Sequence, residues 1–240
     1  MKERVEILEI PFINTSFSDM VEILADQVDR EEKTFIVTAN PEIVMHTYED
    51  RKYKEKVLTA DFIVPDGNGI LLAAKILDKP IAERIAGFDL MMKLLELANL
   101  HKWSIYLLGG REGVNQKAAE RIKAAFPDLV LAGRHNGYFN WEDGKLSNDI
   151  EQLKPDIVFV ALGFPRQEHW ISENISRFSK GLFIGVGGSI DVIAGEVKRA
   201  PEVWQKMKLE WFYRLLQQPA RWKRMLALPK FVIHVLQSKK

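Results

Sequence analysis

The chain has 240 residues, of which 47% are hydrophobic and 28% charged, and it contains no cysteine. This length and apolar content suit one large folded domain, or one domain with an appendage, and exclude a disordered chain. Without cysteine there are no disulfides, thiolate metal ligands or cysteine nucleophiles, which fits a reducing compartment.

The formal net charge of +1 conceals an uneven distribution along the chain. Residues 197–240 contain eleven Lys and Arg against two acids, so they carry +9 and the remainder carries −8. This division indicates a neutral or acidic body joined to a segment that attracts anions. The first residues, MKERVE, include acids where a signal peptide needs an uninterrupted apolar segment. No uncharged apolar run reaches the roughly 18 residues of a membrane span, so we expect a cytoplasmic protein without a transmembrane helix.

Strand and helix patterns alternate along most of the chain. The predicted strands cover residues 5–10, 34–38, 62–64, 103–108, 129–132, 157–162 and 182–186. Ser16 and Asp19 resemble a capping pair for a helix that ends near Asp29, and Asn40 followed by Pro41 is typical of another helix start. Further helices are predicted over 71–77 and 88–99, and after residue 113 to about 126.

Strands that alternate with helices and read as continuous apolar runs indicate a parallel sheet covered on both faces. We therefore predict an α/β, Rossmann-like, mostly parallel sheet in a catalytic domain over residues 1–196. Five strand ends are followed directly by Gly, Asn, Asp or Gln, and these loops should share one edge of the sheet and form one crevice. From Pro201 onward the pattern changes to short helices, which predicts a C-terminal helical appendage over 197–240.

The turn after the predicted strand 62–64 is the most informative single stretch. Pro65 ends the strand, and Asp66 then begins the turn sequence DGNG before a helix. This order places a carboxylate at the sheet edge where open α/β sheets bind ligands. The alternative is that Asp66 only caps the turn.

Two glycine-rich strand ends are candidate phosphate or nucleotide sites. Gly109 and Gly110 precede a helix whose backbone amides could face an anion, although glycines needed for close packing explain them equally well. Gly187 belongs to a second such strand end, and Asp191 beyond it could bind a ribose or a base, or simply favour a helix start. Tyr138 could stack on a base, whereas core filling is the commoner role of such a tyrosine.

Metal and cofactor motifs are missing from the sequence. The histidines at 46, 101, 135, 169 and 234 lack ligand spacing, and no Asp-x-Asp, P-loop or G-x-S-x-G pattern occurs. We predict no metal and no cofactor, so that arginines and backbone amides would have to neutralise a bound phosphate.

The basic C-terminal segment is rich in aromatic residues. Trp204, Met207, Trp211 and Leu215 fall at helical spacing and predict one apolar face. Together with the net charge of +9, this composition suits an anionic membrane surface. The alternative is packing on the domain or on another subunit, which would make a homo-oligomer. Nucleic acid is disfavoured by the acidic body and by the lack of a binding motif.

Several motifs together resemble one protein family. They are TANPE at 38–42, PDGNG at 65–69, RIAGFD at 84–89, GFPRQE at 163–168, GVGGSID at 185–191, AGEVKRAP at 194–201 and EWFYRL at 210–215. In this order the chain resembles the WecG/TagA/CpsF family of bacterial glycosyltransferases. The resemblance implies a Rossmann-like fold distinct from the two commoner glycosyltransferase folds. It also implies a peripheral membrane protein on the inner face of the cell membrane.

The resemblance also implies a reaction: metal-independent, inverting transfer of N-acetylmannosamine from a UDP-sugar donor to undecaprenyl-diphosphate-linked N-acetylglucosamine. This β-1,4 transfer belongs to linkage-unit synthesis for wall teichoic acid. By the same resemblance, Asp66 is the general base, and Thr38, Asn40, Arg84 and Gln167 bind donor or acceptor. The resemblance further implies that three arginines of the appendage neutralise the diphosphate: Arg214, Arg221 and Arg224.

Three alternatives remain at this point. A relative with another donor, such as UDP-N-acetylmannosaminuronic acid, would carry similar motifs. A nicotinamide-dependent oxidoreductase would use residues 109–113 and need an acid about 20 residues beyond them, for which Asp128 is the candidate. A lipid- or partner-binding scaffold would have a vestigial crevice.

Overall fold

A computed structural model describes residues 3–207, 209–217, 219 and 222–239 and confirms the predicted α/β class. Its strands are β1 (Arg4–Ile7), β2 (Ile10–Ile13), β3 (Lys33–Ala39), β4 (Phe62–Pro65), β5 (Ser104–Gly109), β6 (Val130–His135), β7 (Ile157–Ala161) and β8 (Gly181–Gly185). Its helices are α1 (Phe17–Asp29), α2 (Pro41–Glu49), α3 (Arg51–Val57), α4 (Asn68–Ile76), α5 (Gly87–His101), α6 (Glu112–Ala125), α7 (Lys145–Leu153), α8 (Arg166–Asn174), α9 (Ser189–Ile193), α10 (Glu202–Lys206), α11 (Glu210–Gln217), α12 (Trp222–Met225) and α13 (Ala227–Ser238), and a 3-10 turn covers Ile175–Arg177.

Six strands form one parallel sheet in the order β4-β3-β8-β7-β5-β6. The chain forms β3 and β4 on one side, crosses to β5 and β6 on the other, and returns to the centre through β7 and β8. Because parallel neighbours need a crossover, the intervening helices lie on the sheet faces. All six carboxyl ends therefore meet at one edge, as predicted.

Buried side chains form one layer on each face of the sheet. Val158 and Val160 of β7 join the layer under α2, α3, α8 and α13, whereas Ile157 and Phe159 join the layer under α1, α5 and α6. This division follows from the alternation of side chains along a strand. Coverage of both faces explains why the strands read as continuous apolar runs.

The predicted first strand over 5–10 is wrong in its extent. The structure divides it into the antiparallel hairpin β1–β2, which is separate from the parallel sheet. Leu8 and Glu9 form the turn with φ of 48° and 64°, the left-handed pair that a two-residue hairpin turn of type I′ requires. Leu and Glu are poor markers of such a turn, so the pattern of apolar residues alone did not reveal it.

The predicted helix starts are confirmed by their caps. Ser16 Oγ accepts a hydrogen bond from the backbone N of Asp19 at 3.1 Å. Asn40 Oδ1 accepts one from the backbone N of Ile43 at 3.0 Å, with Pro41 in the first turn of α2. These caps satisfy donors that a helix leaves without intrahelical partners.

The last helix, α13, packs directly on the body of the protein. Phe231 and Val235 are buried in the same layer as α2 and α3. The rings of Tyr48 and His234 lie 4.5 Å apart, and Lys239 Nζ is 2.7 Å from Asp78 Oδ2. α13 therefore contributes to the core. Along the chain, α10 to α12 connect α9 to α13.

The predicted continuous apolar face over 204–215 is wrong, because the helix is interrupted between α10 and α11. The break folds Trp204 back, so that its ring lies 6.1 Å from that of Phe212 and 5.6 Å from that of Tyr213. None of the helices in the described ranges combines the length and the hydropathy needed to cross a bilayer.

Candidate active site

Two neighbouring cavities lie at the carboxyl edge of the sheet. The larger, about 680 Å³, follows the ends of β3, β4, β7 and β8 and is closed on one side by residues of α11 to α13. The smaller, about 390 Å³, lies at the ends of β5 and β7 and beside the loop after β6. Asp191 lines both cavities, so the two spaces are adjacent.

Asp66 projects into the larger cavity from the turn after β4. Its backbone N donates to Ala39 O at 2.9 Å, which ties the turn to the end of β3. The turn depends on its glycines. Gly67 has φ of +104°, and a Cβ at Gly69 would lie 2.6 Å from Pro41 Cγ. The side chain is about one quarter exposed, so the carboxylate is held in a fixed turn with its face open to the cavity.

Arg84 lies between two carboxylates. Its Nη2 is 3.5 Å from Asp66 Oδ1 and 3.1 Å from Glu210 Oε2 of α11. Burial opposes the charge of the guanidinium, but the two carboxylates outweigh burial and raise the pKa of Arg84. The segment is fixed by the backbone N of Ile85, which donates to Pro65 O at 2.9 Å. Arg84 thus joins the Asp66 turn to the C-terminal helices.

Thr38, Asn40 and Gln167 also line the larger cavity, as their placement at strand ends predicts. Thr38 Oγ1 donates to Gly185 O at 3.2 Å, and Asn40 uses its Oδ1 as the cap of α2. Gln167 is buried, with its Oε1 accepting from the backbone N of Gly187 at 3.1 Å. Each of these side chains therefore also holds a part of the protein that forms the cavity.

The residues predicted for a nucleotide divide between the two cavities. Gly110, Tyr138 and Asp191 line the smaller one, and Gly187 lines the larger one. Tyr138 is 72% exposed, which places it at the cavity mouth and not in the core. Burial raises the pKa of Asp191, against the opposing effects of its own backbone N–H and of Arg111.

Gly109 does not line either cavity. A Cβ at this position would lie 2.3 Å from Ala161 O, and φ is +122°. The glycine is therefore explained by the close approach of β5 and β7, which is the packing alternative that the sequence left open. Asp128, the acid that an oxidoreductase would need, comes just before β6, at the edge away from the cavities.

Three arginines at the cavities were not among the predicted site residues. Arg111 and Arg166 line the smaller cavity, and Arg199 lines the larger one. Arg166 lies over the Trp141 ring at 5.1 Å, while Arg199 lies over Phe88 at 4.6 Å. All three follow strand ends or fall inside the quoted motifs. The signals were therefore the motifs, for Arg166 and Arg199, and the end of β5, for Arg111.

The cavities carry charges of both signs. Arg84 and Arg199 line the larger cavity together with four acids, and Arg111 and Arg166 line the smaller one together with two. Across the residues that the structure describes, no three His, Asp or Glu side chains form a group that could hold a metal ion. Of the arginines predicted in the appendage, Arg221 lies outside the described residues, and so do the side chains of Arg214 and Arg224.

The sequence and this site define a class of protein. The profile of the glycosyl transferase WecG/TagA/CpsF family matches residues 5–240, and the chain belongs to this family. The predicted resemblance is therefore confirmed, and with it the assignment of the chain to the glycosyltransferases.

Curated relatives are similar over nearly the whole chain. A protein of Bacillus spizizenii is 39% identical over 98% of this chain and 91% of its own length. One of Bacillus subtilis is 37% identical over the same shares, and one of Staphylococcus aureus is 37% identical over 99% of this chain and 94% of its own. All three are named N-acetylglucosaminyldiphosphoundecaprenol N-acetyl-beta-D-mannosaminyltransferase.

Proposed function

We propose that this chain transfers N-acetylmannosamine from UDP-N-acetylmannosamine to N-acetylglucosamine carried on undecaprenyl diphosphate, in linkage-unit synthesis for wall teichoic acid. The observation that carries the proposal is Asp66 in the larger cavity, with Arg84 beside its carboxylate. The shared name of the relatives supports the choice of sugar and acceptor.

In the proposed reaction, Asp66 accepts the proton of the acceptor 4-hydroxyl as this oxygen attacks the anomeric carbon of the donor. The bond from that carbon to the diphosphate oxygen breaks on the opposite face, and UDP leaves with the electron pair. This single displacement inverts the anomeric centre and gives a β-1,4 disaccharide. A positioned carboxylate is a sufficient general base for such a step.

The smaller cavity is proposed to hold the nucleotide. Tyr138, exposed at its mouth, would stack on uracil, and Asp191 would bind the ribose. The developing charge on UDP would be stabilised by Arg111 and Arg166 and by backbone N–H groups near Gly187. This arrangement would serve the role that a divalent ion plays in many sugar-nucleotide transferases.

The larger cavity is proposed to hold the acceptor sugar. Thr38, Asn40 and Gln167 would contact hydroxyl groups, and Arg214, Arg221 and Arg224 would neutralise the lipid diphosphate. We also propose that residues 1–196 form the catalytic domain and residues 197–240 the appendage, and that the protein binds peripherally at the inner membrane face. The residue composition of the appendage, with its net charge of +9, supports this location.

A donor panel tests the proposal. The full-length protein is incubated with UDP-N-acetylmannosamine, UDP-N-acetylglucosamine and UDP-N-acetylmannosaminuronic acid, each with a synthetic lipid-diphosphate N-acetylglucosamine, with EDTA or with Mg²⁺. We expect turnover with UDP-N-acetylmannosamine alone, equal in EDTA and Mg²⁺. Turnover that required Mg²⁺, or that preferred the uronic acid donor, would contradict the proposal. UDP should raise the thermal unfolding temperature, and NAD should not.

A further inference from the structure

Glu168 is a buried acid that the proposed reaction does not use. It lies in the first turn of α8 and is only 1% exposed. Its Oε1 accepts a hydrogen bond from Gln167 Nε2 at 2.8 Å. The other end of the same amide, Gln167 Oε1, accepts from the backbone N of Gly187 at 3.1 Å. The three residues therefore form a chain of hydrogen bonds that leads from the core to the larger cavity.

The chemistry of the two partners fixes which way the Gln167 amide points. A backbone N–H can only donate, so Gly187 must face the amide oxygen. Glu168 Oε1 accepts whether Oε2 carries a proton or not, so Glu168 faces the NH₂ group in either state. If the acceptor at residue 168 were lost, the amide could rotate and leave the Gly187 N–H without a partner.

The space around Gln167 leaves little freedom for another arrangement. A Cβ at Gly185 would lie 2.4 Å from Gln167 Nε2, so the side chain lies directly against the end of β8. Gly187 has φ of +49°, a left-handed turn that its hydrogen bond to Gln167 helps to hold. The loop over residues 185–188 lines the larger cavity and leads into the helix that carries Asp191.

The far side of the carboxyl group is enclosed. Glu168 Oε2 and Tyr53 Oη are both buried, and the two side chains interact with each other. The Tyr53 ring packs against His46, Phe164 and His169 at 4.8, 5.5 and 5.7 Å. Burial raises the pKa of Glu168 to about 7, with the hydrogen bonds of Gln167 and Tyr53 opposing it. Glu168 therefore interacts with Tyr53 on the core side and with Gln167 on the side of the larger cavity.

We propose that Glu168 is a positioning residue for the transfer reaction: it orients the Gln167 amide, which holds the Gly187 N–H and thereby shapes the 185–188 loop for the sugar-nucleotide. This inference rests on the proposed function for the identity of the ligand. The hydrogen bonds among Glu168, Gln167 and Gly187 lie within the protein, so this part of the inference is independent of the proposed function.

Two substitutions distinguish the role of Glu168 as a hydrogen-bond acceptor from the role of its negative charge. Glu168→Gln removes the charge but keeps an oxygen of the same reach, so it should maintain the hydrogen bond to Gln167. Glu168→Asp keeps the charge but shortens the side chain by about 1.5 Å, so it should lose that bond. Glu173→Asp makes the same change on an exposed position of α8 and is the matched control.

The first readout is hydrogen–deuterium exchange of the Gly187 amide in the full-length protein, measured by NMR without ligand. We expect exchange at least about tenfold faster in Glu168→Asp and unchanged in Glu168→Gln and Glu173→Asp. The second readout is UDP affinity, which should fall about tenfold in Glu168→Asp only, the effect of one lost hydrogen bond. Thermal unfolding verifies that each variant is folded. If Glu168→Asp is not, Glu168→Met, which fills the site without an acceptor, replaces it.

Two results would overturn the inference. One is a Glu168→Asp or Glu168→Met protein with wild-type exchange at Gly187 and wild-type UDP affinity. The other is a Glu168→Gln protein as impaired as these, because the charge would then matter and not the acceptor. Failure of the wild-type protein to bind UDP would instead contradict the proposed function, since the exchange at Gly187 is measured without ligand.

Discussion

Asp66 and Glu210 are 144 positions apart in the chain, yet both contact one guanidinium nitrogen of Arg84. A guanidinium has several donors in one plane, so it can orient two carboxylates at once. Arg84 therefore fixes the direction in which the Asp66 carboxylate faces the cavity. The reacting group and the C-terminal helices are linked through this single side chain.

Replacing Asp66 tests its role as the general base. Asp66→Asn preserves size and one acceptor oxygen, which can still face Arg84, but removes the ability to take the acceptor proton. We expect turnover to fall by about 10²- to 10⁴-fold, with UDP affinity within about twofold of wild type. Turnover with the lipid acceptor and calorimetric UDP binding measure the two quantities. Asp26→Asn, on the exposed side of α1, is the control, and equal activity of Asp66→Asn would refute the assignment.

The raised pKa of Glu168 has a consequence for stability. Between its ordinary pKa of 4.5 and about 7, the folded state retains a proton that the unfolded state has lost. The contribution of this proton to stability is complete below about 4.5 and is lost as the pH rises through 7. The shift from 4.5 to about 7 corresponds to roughly 3 kcal/mol.

Glu168→Gln should remove this pH dependence. We expect the variant to gain up to roughly 3 kcal/mol of unfolding free energy relative to wild type between pH 5 and pH 8. Urea unfolding of both proteins at the two pH values measures the difference. A difference that did not change with pH would show that Glu168 is ionised in the folded protein at both values.

At the scale of elements, α11 is held to the body through Glu210. The Glu210 side chain is 9% exposed and that of Arg84 is 25% exposed, so their contact is largely shielded from water. Removal of Glu210 would leave Arg84 with the longer contact to Asp66 at 3.5 Å, so the charge would be only partly compensated in a shielded site. Glu202, in α10, makes an exposed pair with Lys206 and offers a contrast.

Glu210→Ala should loosen α11 and lower activity. We expect amide exchange in α11 to rise about tenfold or more and the unfolding free energy to fall by roughly 1 to 3 kcal/mol, because Asp66 still compensates part of the Arg84 charge. Glu202→Ala should change the unfolding free energy by less than about 1 kcal/mol. Mass spectrometry measures the amide exchange, and urea unfolding measures the unfolding free energy. Equal effects of the two substitutions would show that the Arg84 contact does not hold the helix.

The elements of the fold were largely predictable from the sequence because each local signal agreed with the next. Asn40 and Pro41 mark the start of α2, and the apolar run of β7 marks a central strand. The hairpin turn at Leu8 and Glu9 was not predictable, since neither residue favours left-handed backbone angles. The break between α10 and α11 was also missed, because periodicity shows which residues share a face but not whether the helix is continuous.

The site was predictable where a residue directly follows a strand, and less so elsewhere. Asp66 and Thr38 were located because the carboxyl edge of a parallel sheet collects such residues. Arg199 was missed because its position depends on how the chain beyond β8 folds back over Phe88. The link from Arg84 to Glu210 joins distant parts of the chain, so no local pattern reveals it.

At the scale of the whole molecule, the exposed apolar side chains are concentrated near the C terminus. Residues 197–240 contribute Val203, Met207, Trp211, Phe212, Leu216, Trp222, Leu226, Ile233 and Leu236 to the large exposed hydrophobic side chains. The same segment carries the net charge of +9. Apolar side chains insert into a bilayer interface and basic ones are attracted to anionic lipid, so this segment is the part of the chain suited to membrane contact.

Vesicle binding should therefore depend on Leu216 and not on exposed leucines elsewhere. Leu216 is 58% exposed in α11, and Leu100, 72% exposed near the end of α5, lies at the opposite edge of the sheet. We expect Leu216→Asn to weaken binding to vesicles with anionic lipid about tenfold, whereas Leu100→Asn should have no effect. Binding of the wild-type protein should also weaken as salt rises from 0.05 to about 0.5 M, because salt screens the attraction of the basic segment to the lipid. Co-sedimentation with vesicles measures all three proteins, and equal losses for the two leucine variants would mean that the C-terminal segment does not direct the contact.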